Sequence, residues 1–259
     1  MQISYFKSMI LSCAVAFAYG TSSAIDFRSG EMRLRLSDSN GAVESLIADD
    51  GSERVMAAAE AFTLQLLDGK GEPTRLKSSD FAFSRKGNCL SWWHANGLHV
   101  SVLVTAADDG FRFKPAVEGI PAGMLLEWFD GPQVCIAPDR KLFWPNWDGI
   151  EVTDYNSRPY RPIRYRKRFA PGFGSSLYPG LAQMQFMAAY KDGKGIYFSA
   201  VDDRHTQKAV DWDQQDGKSI RLTLQTFCGD LDADGAWRPK FHYLLKPYEG
   251  GWMEGCEIY

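Results

Sequence analysis

From residue 25 onward the chain is patterned with a period of two. Met32, Leu34 and Leu36 alternate with Arg33 and Arg35, and Ile220, Leu222 and Leu224 alternate with Arg221, Thr223 and Gln225. Such alternation belongs to strands with one face buried and one face wet. Between the strands stand Asn40-Gly41, Asp50-Gly51, Asp68-Gly69, Gly87-Asn88, Asn96-Gly97, Asp109-Gly110, Asp192-Gly193, Asp216-Gly217 and Asp234-Gly235. Each pair tolerates the positive φ that tight hairpins need. Helical periodicity is confined to two places. Residues 55–61 suggest a short helix, and Trp252, Cys256 and Tyr259, spaced by four and then three after Gly250-Gly251, suggest the first turns of another. Repeated hairpins without strand–helix alternation predict an all-β protein, a large antiparallel β-sandwich with few helices.

The first 24 residues depart from this pattern. A single charge, Lys7, is followed by an apolar stretch and then by small residues ending Ser22-Ser23-Ala24, the layout of a secretory signal cut before Ile25. The stretch is too short for a membrane anchor, and no other segment is suited to span a bilayer. The expectation is a signal peptide at 1–24 and a secreted or periplasmic protein with no membrane partner. Loss of Lys7 moves the formal net charge from -3 to -4, which argues against a general nucleic-acid binder. The composition, 45% hydrophobic and 14% aromatic, fills a core without help from disulfides. Cys89, Cys135, Cys228 and Cys256 lack zinc-type spacing and leave three pairings open.

One stretch breaks the hairpin rhythm. Residues 131–180 hold seven of the twelve prolines, and long irregular segments on a β scaffold commonly carry function. Within it, Trp144, Asn146, Trp147 and Asp148 set two indoles beside an amide and a carboxylate. That is the chemistry of a sugar site, in which rings stack on C–H faces and polar groups meet hydroxyls. The alternative is that both indoles cap the core. Arg158, Arg161, Arg164, Arg166, Lys167 and Arg168, interleaved with Tyr160 and Tyr165, make a basic patch suited to uronate or sulfate, or else the solvated face of an edge strand. Asp230, Asp232 and Asp234 have the spacing of a calcium loop, but Phe241 stands where a bidentate Glu is expected. An ordinary Asp-Gly turn fits better; no cofactor is expected, with calcium the one candidate.

The most specific stretch begins at Tyr178-Pro179-Gly180. It continues through Gln183-Met184-Gln185-Phe186 and a turn at residues 191–194, then runs from Gly195-Ile196-Tyr197 into a loop holding Asp202, Asp203, His205 and Lys208. These elements, with the Gly251-Trp252 tail, resemble the N-terminal β-sandwich of a family of secreted bacterial proteins related to glycoside hydrolases. That family is of unknown function and similar in fold to galactose mutarotase. The resemblance implies a mutarotase-like supersandwich over residues 25–248, with residues 249–259 opening a link toward a catalytic (β/α) barrel that this sequence lacks. It implies a carbohydrate partner, an anionic glycan included, and a catalytic barrel as a second partner. On this basis the chain is expected to be a non-catalytic carbohydrate-associated module, the alternative being a stand-alone epimerase or mutarotase. A mutarotase needs a His and a carboxylate facing one sugar ring, and His205 with Asp202 or Asp203 is the close pairing in sequence. Tyr178 and Lys208 complete the candidate sugar-binding set.

Overall fold

The computed structural model describes residues 25–156, 173–215 and 217–259. Strands β1 (Ile25–Ser29), β2 (Met32–Leu36) and β3 (Val43–Ile47) form a small antiparallel sheet. Next come β4 (Thr63–Leu67), β5 (Pro73–Lys77), β6 (Ala82–Lys86), β7 (Cys89–Trp93), β8 (His99–Ala107) and β9 (Gly110–Glu118). The middle of the chain supplies β10 (Leu125–Asp130), β11 (Val134–Ile136), β12 (Lys141–Trp144), β13 (Ile150–Val152) and β14 (Phe173–Tyr178). The last third supplies β15 (Phe186–Lys191), β16 (Lys194–Val201), β17 (Lys208–Gln215), β18 (Ser219–Phe227), β19 (His242–Glu249) and the helix α1 (Trp252–Ile258).

Two large sheets pack face to face. One has nine strands in the order β13-β12-β15-β16-β19-β9-β8-β7-β6. The other has seven, in the order β14-β17-β18-β10-β4-β5 with β11 also on β18. Neighbouring strands are antiparallel throughout, and the sandwich expected from the alternation is what forms. Leu222 and Leu224 of β18 meet Val100, Val104 and Phe198 of the nine-stranded sheet in one core. Each fully buried side chain of this kind contributes roughly 1.5–3 kcal/mol. Hydrogen bonds also cross between the sheets: Trp144 Nε1 donates to the Val210 carbonyl at 2.9 Å, and Thr226 Oγ1 lies 2.6 Å from the Tyr243 hydroxyl.

One local expectation changes and one open question closes. Residues 55–61 are extended rather than helical: Met56 N donates to Cys135 O, and Ala58 N to Val43 O. Val55, Ala58 and Ala61 are buried at a spacing of three, so the helix-like stripe comes from a segment that turns every third residue to the core. The four cysteines are free thiols, two of them fully buried. The basic cluster at 158–168 lies outside the described residues.

The C-terminal helix does not project away. It lies on the outer face of the nine-stranded sheet, where Phe143, Phe186, Ala188, Tyr197 and Tyr248 form a second small core that receives Cys256 and Ile258. Trp252 stacks on Phe143 at 6.0 Å, and Tyr259 packs at a tilt against Phe186 at 5.3 Å. Gly255 permits the close seat, because a Cβ there would stand 2.8 Å from that of Ala188. Glu254 accepts a hydrogen bond from Gly251 N at 2.7 Å and so caps the first turn. Among the described residues no helix is long and apolar enough to cross a membrane.

Candidate functional site

The site begins with a hairpin. Asp192 and Gly193 both hold left-handed backbone, with φ of 51° and 72°, the turn that joins β15 to β16 without splaying them. Along β16, Ile196, Phe198 and Ala200 enter the main core, which sends Tyr197, Ser199 and Val201 to the outer face. On the neighbouring β19, Tyr243 and Leu245 go inward, leaving His242, Leu244 and Lys246 outward. With Arg112 from β9, Gln185, Asp203, His205 and Tyr259, these residues line an open cleft of about 540 Å³.

The loop at the mouth of the cleft is built on a buried ion pair. The side chains of Lys208 and Asp202 are 0% and 1% exposed. The Lys208 ammonium donates to Asp202 Oδ2, to Gln185 Oε1 at 3.0 Å and to the Thr206 carbonyl at 2.9 Å, and it lies 4.4 Å from the centre of the Phe241 ring. All three of its protons are therefore spent. Asp202 also accepts from the amides of Arg204 and Thr206 at 2.9 and 2.8 Å. Burial opposes the charge on Asp202, but the bond from Lys208 and these amides outweigh it and hold its carboxyl below the usual range. Burial likewise draws the Lys208 ammonium down. The locked loop carries His205 in a left-handed conformation, φ 55°, with Nδ1 on the Tyr178 hydroxyl. Burial raises that phenol to about 12.

Inside the cleft the groups are of a different kind. Burial and the positive charges of Arg112 and Lys114 depress His242, so its imidazole is neutral near pH 7. Arg112 is steadied by Asp109 at 2.8 Å. Ser199, 2% exposed, lies in the floor of the cleft beside Tyr197. The exposed ring of Tyr259 stands beside these groups, while Tyr197 lines the floor with its ring stacked on Phe186. Such a mixture suits a polyhydroxylated ring, which presents C–H faces for stacking and hydroxyls for bonding.

The structure gathers some of the candidate residues and separates others. Asp202, Asp203 and His205 reach the cleft, with Tyr178 behind His205; Lys208 is sealed beneath the loop. Because Asp202 is bonded to Lys208 and two amides, Asp203 is the exposed carboxylate of the pair. In the other loop Trp144 is a core residue, 4% exposed, and Asn146 accepts from Ser176 Oγ at 2.9 Å. Trp147 and Asp148 are exposed, the indole 60% so, and Trp147 N is tied to Leu181 O. The acidic turn closes on itself: Arg238 bridges Asp232 at 3.1 Å and Asp234 at 2.9 Å, and Asp230 is exposed. A guanidinium thus stands between two of the carboxylates read as calcium ligands. Among the described residues no group of His, Cys, Asp or Glu has a geometry that would hold a metal. Gln185, Arg112, Tyr197, Ser199 and His242 went unnoticed in the sequence as site residues. Arg112, Tyr197, Ser199 and His242 share outward register on β9, β16 and β19, a signal visible only once those strands are known to be neighbours; Gln185 stands just before β15 and carries no such signal.

No protein-family model matches the chain, and no curated protein matches its sequence. Its architecture does have solved counterparts. A putative aldose 1-epimerase from Escherichia coli K12 superposes with a TM-score of 0.53 at 12% identity, covering 88% of this chain and 99% of the other. An α-galactosidase from Lactobacillus brevis gives 0.57 at 10% identity, covering 91% of this chain and 40% of that one. An α-N-acetylgalactosaminidase from Bifidobacterium bifidum gives 0.58 at 12% identity, covering 91% and 38%. The fold is therefore the mutarotase-like β-sandwich. This chain spans nearly the whole of the epimerase but only about 40% of each glycosidase.

Proposed function

We propose that the chain is an exported, carbohydrate-binding β-sandwich of glycoside hydrolase type, non-catalytic by itself and working beside a catalytic barrel. The observation that carries this reading is the cleft on the outer face of the nine-stranded sheet. There the half-exposed ring of Tyr259 stands with Arg112, His242, Asp203 and His205 around one open volume. The solved proteins that share the fold act on sugars by their names, two of them on galactose-configured residues, so a galactose-configured ring is the ligand to try first. Hydrolysis needs two carboxylates roughly 5–10 Å apart across the scissile bond. Asp202, one of the few acids at the cleft, is committed to Lys208, which supports a binding role.

A second reading, a stand-alone epimerase, is favoured by one observation: His205, His242 and the Asp203 carboxylate line the same cleft. Anomer interconversion needs one acid and one base about a single ring. The two readings separate by experiment. Galactose titrated into the mature chain should bind saturably. Arg112→Ala and His242→Ala should each weaken binding about ten-fold, equivalent to about 1.4 kcal/mol, without lowering the melting temperature. Optical rotation of freshly dissolved galactose should relax at the uncatalysed rate. Acceleration lost in His242→Ala would establish the epimerase instead; no binding of galactose or N-acetylgalactosamine would remove the carbohydrate reading.

A further inference from the structure

The cleft is one end of a longer surface. Strand register places side chains in rows across the outer face of the nine-stranded sheet. One row runs Ala82, Trp93, His99, Glu118 across β6, β7, β8 and β9. Trp93 is 53% exposed and lies flat on His99, with ring centres 3.7 Å apart and planes within 10°. His99 is bonded to Glu118, which in turn holds Arg238. The indole is thus a platform fixed from below with its other face open to solvent.

The next row is Ser84, Ser91, Ser101, Ala116. Four small side chains beside the Trp93–His99 ridge leave a trough across the strands. The following row, Lys86, Cys89, Leu103, Lys114, forms its other bank. Lys114 stands close enough to His242 to depress its pKa, so this bank runs on into the cleft, and His242 is paired with Val201. Among the described residues no carboxylate forms an ion pair with Lys86, Lys114 or Lys246, whereas Glu118 is paired with Arg238 and Asp109 with Arg112. The surface therefore presents uncompensated positive charge along one side of a hydroxyl-lined trough. At one end is an indole platform; at the other is the open cleft lined by Arg112, His242 and Asp203. From β7 to β16 there are four strand spacings, roughly 19 Å, several times the width of one pyranose ring.

We infer that this outer face binds a strand of acidic, uronate-bearing polysaccharide, one ring stacked on Trp93, carboxylates opposite Lys86 and Lys114, and one end in the cleft. The inference rests on the carbohydrate reading of the cleft and specifies its ligand class. A neutral chain would leave the lysine bank unanswered, and a single sugar would leave the trough and the indole unused. Ammonium–carboxylate contacts on an exposed face are weakened by salt, while indole–ring stacking is not.

The test compares oligogalacturonates with neutral galactan oligomers of equal length, and with galactose, on the full mature chain. Oligogalacturonate should bind at least about ten-fold tighter than galactan at low salt, and the preference should shrink as salt is raised. Lys86→Gln with Lys114→Gln should abolish the preference. Trp93→Ala should weaken the longer oligomers of both kinds about ten-fold, with all variants melting as the parent does, since the three side chains are exposed. If galactose binds but oligogalacturonate gains nothing over galactan, or if the variants bind like the parent, the inference fails and the cleft reading survives. If no sugar binds, both fall.

Discussion

Two buried aspartates set the behaviour of the seven-stranded sheet toward pH. Asp211 on β17 accepts from Ser176 N at 3.3 Å; Asp130 on β10 accepts from Thr63 at 3.3 Å, and its other oxygen has no partner. Burial, reinforced by their mutual charge, lifts Asp211 to about 8; burial lifts Asp130 to about 6, against an ordinary 3.8 for each. Both hold a proton more tightly folded than unfolded. Between about pH 4 and about pH 8 the native state therefore binds more protons, and stability falls as pH rises through that window, by up to about 1.4 kcal/mol per pH unit for each group. Urea midpoints should decline from about pH 5 to about pH 8, and Asp211→Asn should flatten the upper half of the decline. Stability that stays level or rises over this range would show that these carboxyls are not held protonated.

At the scale of elements, the helix α1 is where sequence and structure part most usefully. An apolar stripe at Trp252, Cys256 and Tyr259 was legible, and so was its helical spacing; its destination was not. The sheet face that receives it, Phe143, Phe186, Ala188 and Tyr248, is drawn from β12, β15 and β19, and no local pattern links those strands to the tail. The same limit explains Trp144. Its indole sits beside Asn146, Trp147 and Asp148 in sequence, yet it points into the sandwich and donates to Val210 on the opposite sheet. Gly255→Val tests the seat of the helix, since the new side chain meets Ala188 and Tyr248 at once. Overpacking of this kind costs about 1–3 kcal/mol. Hydrogen exchange should rise across residues 252–259 while β10 and β18 keep their protection. An unchanged melting temperature with unchanged exchange would mean that the helix is not fastened there.

Taken as a whole, the molecule shows which features are written locally. Strand alternation and Asx–Gly turns specify the all-β sandwich because each is decided within a few residues. The loop carrying Asp202, Asp203, His205 and Lys208 was also visible, since a single hairpin and its exit deliver it. The division of labour within that loop was not: Lys208 and Asp202 form the buried lock, and Asp203 and His205 are left at the cleft. The opposite wall, Arg112 and His242, joins it only through the β9–β19–β16 pairing, between strands more than forty residues apart in places. The acidic turn had the spacing of a cation loop, but its partner, Arg238, comes from just beyond it.

The central claim, that the outer face of the nine-stranded sheet is where sugar is held, is tested most directly by mapping amide chemical shifts during a galactose titration. Shifts are expected to move together along residues 197–201 and 242–246 and at Arg112 and Asp203, with one dissociation constant and with residues 144–149 silent. Perturbations centred on Trp147 and Asp148, with the cleft unmoved, would contradict the account and place the sugar on the other loop.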